Sequence, residues 1–168
     1  NISVTINENL CMFISDYYDN APCLHHSEFV KKCYEKFKEE TYNQFLELEN
    51  YFTIIPWEEE GQPYKSYKQM EKEVLRTKKH YLFLTENGYG EKDLTHYQDH
   101  PLLEKTNIII NKKQLCYNDL FRVVHDLNGH ILSGGSFSCK GEFLAAKYHL
   151  RMYSEYAKLA AFTETVVQ

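Results

Sequence analysis

Residues 121–132, FRVVHDLNGHIL, lie where the chain changes character. Upstream, short β-branched and aromatic runs alternate with turn residues; from Asn118 onward the apolar spacing is helical. Asn118 is placed to cap a helix that runs to about Asn128. Gly129 then reads as its terminator, because glycine takes up the left-handed backbone of helix ends without steric cost. His125 and His130 flank that break. Five residues apart on a regular helix, they would point about 140° apart. Past a glycine break, His130 is able to swing back towards His125. The expectation is a two-imidazole clamp at a glycine-broken helix end, with Asp126 fixing the tautomer of a nearby imidazole.

A clamp of this kind needs a third donor. The carboxylates downstream are Glu142, Glu155 and Glu164, with no Asp after Asp126. Glu142 follows Gly141 at the start of a predicted helix, where a negative charge also suits the helix dipole. Glu155 falls at a helix junction and reads as solvent-facing. Glu164 sits in AFTETVVQ, a mostly apolar helical context in which an unpaired charge would be costly. Two imidazoles and one carboxylate, with open positions left, form the facial donor set typical of non-haem Fe(II) oxygen chemistry. Other readings remain open at this point: both histidines as helix-end residues, Glu142 as a plain helix-start carboxylate, and Glu164 paired with Arg122, Arg151 or a tyrosine. His149, seven residues after Glu142, reads first as a hydrogen-bonded core histidine. His25, His26, His96 and His100 fall in loop contexts without a special role.

Working outward, Ser27 caps a predicted helix over 27–49 with an apolar stripe of Phe29, Val30, Cys33, Phe37, Phe45, Leu46 and Leu48. YFTII (51–55) is a strand candidate closed by Pro56, and EEEGQP (58–63) is a loop. Ser66 and Gln69 form a capping box that opens a helix to about Lys79. HYLFLT (80–85) reads as a strand followed by the turn ENGYG, and residues 91–105 read as loop. TNIIIN and QLCY flank Lys112–Lys113 and are expected to pair as a hairpin. Residues 1–20 read as strand-like or irregular, since ISVTI alternates. Helices at about 140–154 and 156–167 follow the loop ILSGGSFS. There is no internal repeat, low-complexity tract or linker. The predicted class is α+β: a single domain with a small sheet from the N-terminal half and a mostly helical C-terminal half.

The chain of 168 residues carries a formal net charge of -5, with 19 Lys and Arg against 24 Asp and Glu, which opposes nucleic-acid binding by bulk charge. The lysine clusters KKCYEKFK and RTKKH read as solvated helix faces. With 14 Tyr and 10 Phe, the core is expected to be laced with hydrogen-bonded tyrosines. The five cysteines (11, 23, 33, 116, 139) are odd in number and include no C-x-x-C, which predicts a reducing compartment rather than a disulfide framework. No apolar run approaches the length of a membrane span, and no signal-peptide pattern is visible from Asn1.

Three resemblances follow from these motifs. HDLNGH, SF at 136–137 and FTETVVQ resemble the iron-binding stretch of the pterin-dependent aromatic amino acid hydroxylases, which carry H-E-x-x-G-H and an iron-ligating Glu in an F-T-V-E helix. The likeness covers about 45 residues. By position it implies His125, His130 and Glu164 as iron ligands; Asp126 stands where that family has Glu, and no pterin-binding segment is located. GQPY, NDLFRVVHDLNGH, GE, H-x-x-MYS and TETVVQ, from about residue 35 to 168, resemble a group of bacteriophage proteins of unassigned function. That likeness implies a phage protein in the host bacterial cytoplasm or the virion, continuing beyond Gln168. HD-domain phosphohydrolases share HD-x-G-H, but here one extra residue separates Asp126 from the glycine, and the distant Asp ligand is missing.

Together these give an expected mononuclear centre, Fe(II) first with Zn or Mn as alternatives, held by His125, His130 and Glu164. Asp126, Glu142 and His149 are the supporting catalytic groups, and Gln168 is a hydrogen-bond partner for Glu164. The expected activity is hydroxylation by a non-haem iron monooxygenase. A metal-dependent hydrolase and a non-enzymatic phage structural or host-interaction protein are the alternatives. Substrate, pterin use, protein partner and oligomeric state are not legible.

Overall fold

The computed structural model describes residues 5, 7–21, 26–88 and 99–167. Cys23, His25, His96, Gln168, most of ISVTI and the end of the ENGYG turn lie outside the described residues. The fold is α+β. All strands precede residue 117 and everything described after it is helical or loop. The chain divides into two compact units, residues 41–127 and residues 1–40 together with 128–168. It passes from one to the other inside two continuous helical segments.

Among its described residues, the unit of residues 41–127 contains two separate two-stranded sheets rather than one. Strand β1 (Thr53–Pro56) pairs in parallel with β2 (Lys79–Leu82), with Ile54 opposite His80 and Pro56 opposite Leu82. Parallel neighbours need a crossover, and helix α3 (Tyr67–Thr77) supplies it. The Ser66 hydroxyl accepts from the Gln69 N–H at 3.3 Å. Gln69 reaches back one residue further than a capping box requires, accepting from the Lys65 N–H at 2.9 Å. Tyr67, Met70 and Val74 form its buried stripe, and Lys78 in the left-handed region (φ 57°) turns the chain into β2. Pro56 does not close β1 from outside but is its last residue.

The expected hairpin is present: β3 (Lys105–Ile110) pairs antiparallel with β4 (Lys113–Cys116), with Ile110 opposite Lys113. Its loop residues Asn111 and Lys112 both have positive φ, 49° and 67°, the type I′ geometry whose twist matches the strands. The ENGYG turn begins as a short helix, α4 (Thr85–Gly88). Helix α5 (Tyr117–Val124) starts two residues earlier than expected: its N-cap is Cys116, not Asn118. Asp119 instead accepts from the Cys116 N–H at 2.9 Å, while the Asn118 amide donates to the Thr85 hydroxyl.

In the other unit, residues 8–20 are not strand-like. They form helix α1 (Glu8–Asn20), opened by Asn7, whose side chain accepts from the Leu10 N–H at 3.1 Å. Helix α2 (Glu28–Glu49) spans the unit boundary at Glu40. Cys33, Phe37, Phe45 and Leu48 are buried as expected, whereas Phe29 and Leu46 are exposed. Helices α6 (Cys139–His149) and α7 (Glu155–Phe162) follow, joined through a turn of 3-10 helix (Leu150–Met152). Their buried faces are largely alanine: Ala145, Ala146, Ala157, Ala160 and Ala161. Phe37 and Tyr153 meet edge-on at 5.2 Å between ring centres.

Among the described residues two segments are π-helical, His125–Ile131 and Thr163–Val167. The first replaces the expected glycine-broken end. Gly129 lies within it, and the glycine with left-handed backbone is Gly134 (φ 73°), whose N–H closes on the His130 carbonyl at 2.9 Å. Among the described residues no helix is long and apolar enough to cross a membrane.

Candidate metal centre

The first π-helix resolves the spacing problem posed by the two histidines. Its ladder closes between residues i and i+5, so side chains five apart become neighbours one turn on. His125 and His130 are therefore brought to the same side of one continuous segment without a break. π-helical turns are rare and concentrate at functional sites.

The segment from Ser133 to Gly141 decides which carboxylate joins them. It doubles back so closely that a Cβ on Gly135 would lie 2.5 Å from the Gly141 carbonyl oxygen, and a Cβ on Gly141 1.8 Å from that of Ser136. Both contacts are too short for any side chain, so the two glycines set the approach. Ser138 caps α6 by accepting from the Gly141 N–H at 3.2 Å. The fold-back gives the Gly135 carbonyl to His130, whose Nδ1 lies 2.7 Å from it. It also places Glu142, in the first turn of α6, with Oε2 3.2 Å from His130 Nε2.

His130 is 2% exposed and Glu142 about half exposed, so the site has one buried and one solvent-facing side. With Nδ1–H donated to a carbonyl, a neutral ring would turn its Nε2 lone pair towards the carboxylate. Two acceptors face each other unless a proton or a cation lies between them. A second ligand-side hydrogen bond of this type is what fixes the ring of a metal-binding histidine.

Donor atoms of His125, His130 and Glu142 all lie within 4.8 Å of one another. A cation bound at about 2.1 Å holds adjacent donors roughly 3.0–3.5 Å apart. The His130–Glu142 pair is already at that separation. His125 packs its ring against Phe121 at 5.8 Å.

The remaining expected site residues fall elsewhere. Glu164 is not one of this group; on the second π-helix, it accepts a short hydrogen bond from the Tyr34 hydroxyl. Burial and the adjacent Glu164 charge both push the Tyr34 phenol well above its ordinary range. Asp126 lies beside His80, its Oδ2 3.3 Å from Nε2 of that ring. His149 is buried and packs on Tyr153 with ring centres 4.9 Å apart. Glu155 is exposed. His100 caps a 3-10 turn, accepting from the Leu102 N–H at 3.3 Å.

Sequence reasoning missed two participants. The Gly135 carbonyl carried no signal beyond a glycine pair in a loop. His80 lay in a lysine cluster at the start of a strand, where alternation alone would have turned it inward with Leu82.

Compared with protein-family models, curated proteins and solved structures, the chain matches none.

Proposed function

We propose that the protein is a mononuclear metalloenzyme, with Fe(II) as the preferred cation and hydroxylation of an organic substrate as the reaction class. The observation that carries this reading is the convergence of two imidazoles and one carboxylate within 4.8 Å. That donor set, with coordination positions left over, suits Fe(II) and the activation of O2 that such centres supply when loaded.

The chain's own residues account for the rest. The Gly135 carbonyl holds the His130 tautomer, so that Nε2 is the donor. The π-helix presents His125 beside it. Glu142 supplies the negative charge and, being half exposed, leaves the open side of the site facing solvent, where a substrate can enter. Phe137, exposed and set edge-on to the His130 ring at 5.1 Å, gives that side an apolar wall.

The same donors also fit a two-histidine, one-glutamate hydrolytic zinc site, and the experiment separates the two. Untagged protein is loaded anaerobically with Fe(II) and, separately, with Zn(II), and bound metal and O2 uptake are measured. About one equivalent of iron with O2 uptake, both abolished in His125→Ala, His130→Ala and Glu142→Gln but not in Glu164→Gln, is expected. Zinc binding with esterase or phosphatase activity and no O2 uptake would move the protein to the hydrolytic class. No divalent metal retained in either loading would end both.

A further inference from the structure

His80 is fully buried on β2, and neither of its ring nitrogens makes a hydrogen bond. A buried polar group left in that condition is costly and calls for a reason. Packing does not supply one, since Leu82, the next inward position of the same strand, fills its place without any polar atom. Tyr64 stacks over the imidazole, ring centres 5.8 Å apart and planes 24° off parallel. Its hydroxyl is tied down by the Tyr81 N–H at 2.8 Å, so the slot that holds the imidazole is itself fixed.

The polar group the ring meets is Asp126, with Oδ2 3.3 Å from Nε2. At that separation the atoms have to turn, not approach, to form a bond. Asp126 is the second residue of the π-helix, next to His125. At the far end of the same helix, His130 is held by the Gly135 carbonyl. A histidine thus lies against the helix at each end, and only the second is a proposed metal ligand.

We infer that His80 is a positioning residue: through Asp126 it fixes the first turn of the π-helix and so the direction in which His125 projects. A π-helix is an unfavourable alternative to continued α-helix and persists only where its surroundings hold it. The effect on metal affinity rests on the function proposed above; the effect on the helix does not.

The test uses His80→Phe, which keeps an aromatic ring under Tyr64 and removes both nitrogens, and His80→Gln, which restores an N–H at similar reach. In metal-free protein, amide hydrogen exchange over residues 125–131 is expected to accelerate about tenfold or more in His80→Phe, with exchange in β1 and α3 unchanged. His80→Gln should stay near the parent protein. Asp126→Ala should match His80→Phe, Asp126→Asn should not, and the double variant should add nothing to either single one. Mn(II) affinity should fall about 10–100-fold in His80→Phe, the usual effect of losing an outer-shell partner, and recover in His80→Gln.

Unchanged exchange in His80→Phe, equal loss in the Phe and Gln variants, or additive effects with Asp126→Ala would overturn the assignment. If His80→Phe fails to fold, the contrast between Asp126→Ala and Asp126→Asn decides it. A parent protein that binds neither Mn(II) nor Fe(II) would sink the metalloenzyme reading, while the exchange results would still stand for or against His80.

Discussion

Asp119 shows how this chain satisfies a buried carboxylate without a cation. It is 3% exposed and accepts three hydrogen bonds, from the Thr85 N–H and hydroxyl at 2.7 Å each and from the Cys116 N–H at 2.9 Å. Asp119→Ala would strand those donors in the interior, and it is expected to lower the unfolding free energy by about 2–4 kcal/mol in urea titration. A change below about 0.5 kcal/mol would mean the donors find water instead. The tyrosines carry a second expectation. Burial raises the phenols of Tyr34, Tyr64 and Tyr67 above their ordinary value, and a nearby glutamate adds to it in each case. A phenol with a raised folded-state pKa favours its neutral form in the fold. Its contribution is whole below the unfolded pKa of about 10 and is lost as pH climbs from there through the folded value. Stability should therefore be insensitive to these groups at neutral pH and fall steeply above about pH 10. Tyrosinate absorbance should show part of the tyrosine complement ionising only together with unfolding; full ionisation before any loss of circular dichroism would contradict it.

At the scale of elements, the glycine fold-back before α6 is the most exposed to test. In Gly141→Ala the new methyl would fall 1.8 Å from the Ser136 carbonyl oxygen, backbone that cannot give way cheaply. It should open the segment, release Glu142 from His130, and cost more stability than Gly135→Ala. Gly88→Ala meets nothing closer than 3.6 Å and is expected to change the thermal midpoint by no more than a degree or two. Midpoints ranked in any other order would show that the close approach does not set the geometry. The elements whose local chemistry is complete were legible in the sequence. Ser66 and Gln69 announce α3, and TNIIIN and QLCY announce a hairpin, although its turn falls at Asn111–Lys112, one residue before the expected Lys112–Lys113. Helix α1 is hidden behind the alternation of ISVTI, which extends a strand pattern towards it; Asn7 followed by Glu8 is the cap signal that locates it. The π-helix had no signature. Gly129 is as good a terminator as an interior residue on sequence grounds, and only the closing bond of Gly134 onto His130 decides between them. The sequence therefore points to His125 and His130 together through a helix break, whereas the π-helix brings them together without one. Glu142 was legible as a helix-start carboxylate, but its approach to His130 depends on contacts across the Gly135–Gly141 fold-back.

On the scale of the whole molecule, the two units differ in what fills them. Among the described residues, nine of the twelve largest fully buried side chains belong to residues 41–127, and eight of those nine are apolar, from Phe45 to Val123. The other unit contributes Phe37 and two histidines, His130 and His149, against helices whose buried faces are mostly alanine. Alanine removes little apolar area from water, at about 25 cal/mol per Å², and the gain from burying an imidazole is offset by desolvation of its ring nitrogens. Residues 128–168 are therefore expected to be the weaker part of the molecule and the part most dependent on polar contacts. A cation that binds only the folded site stabilises it by about 2.7 kcal/mol when its free concentration is a hundred times its dissociation constant. That gain should fall where His130 and Glu142 lie. Amide exchange of the metal-free protein should be faster in α6 and α7 than in α3 and β2, and saturating Mn(II) should slow the first pair by one to two orders of magnitude while leaving the second nearly unchanged. Uniform slowing throughout would instead show the chain opening as a single cooperative unit. No slowing in a protein that demonstrably binds Mn(II) would place the cation away from His130 and Glu142.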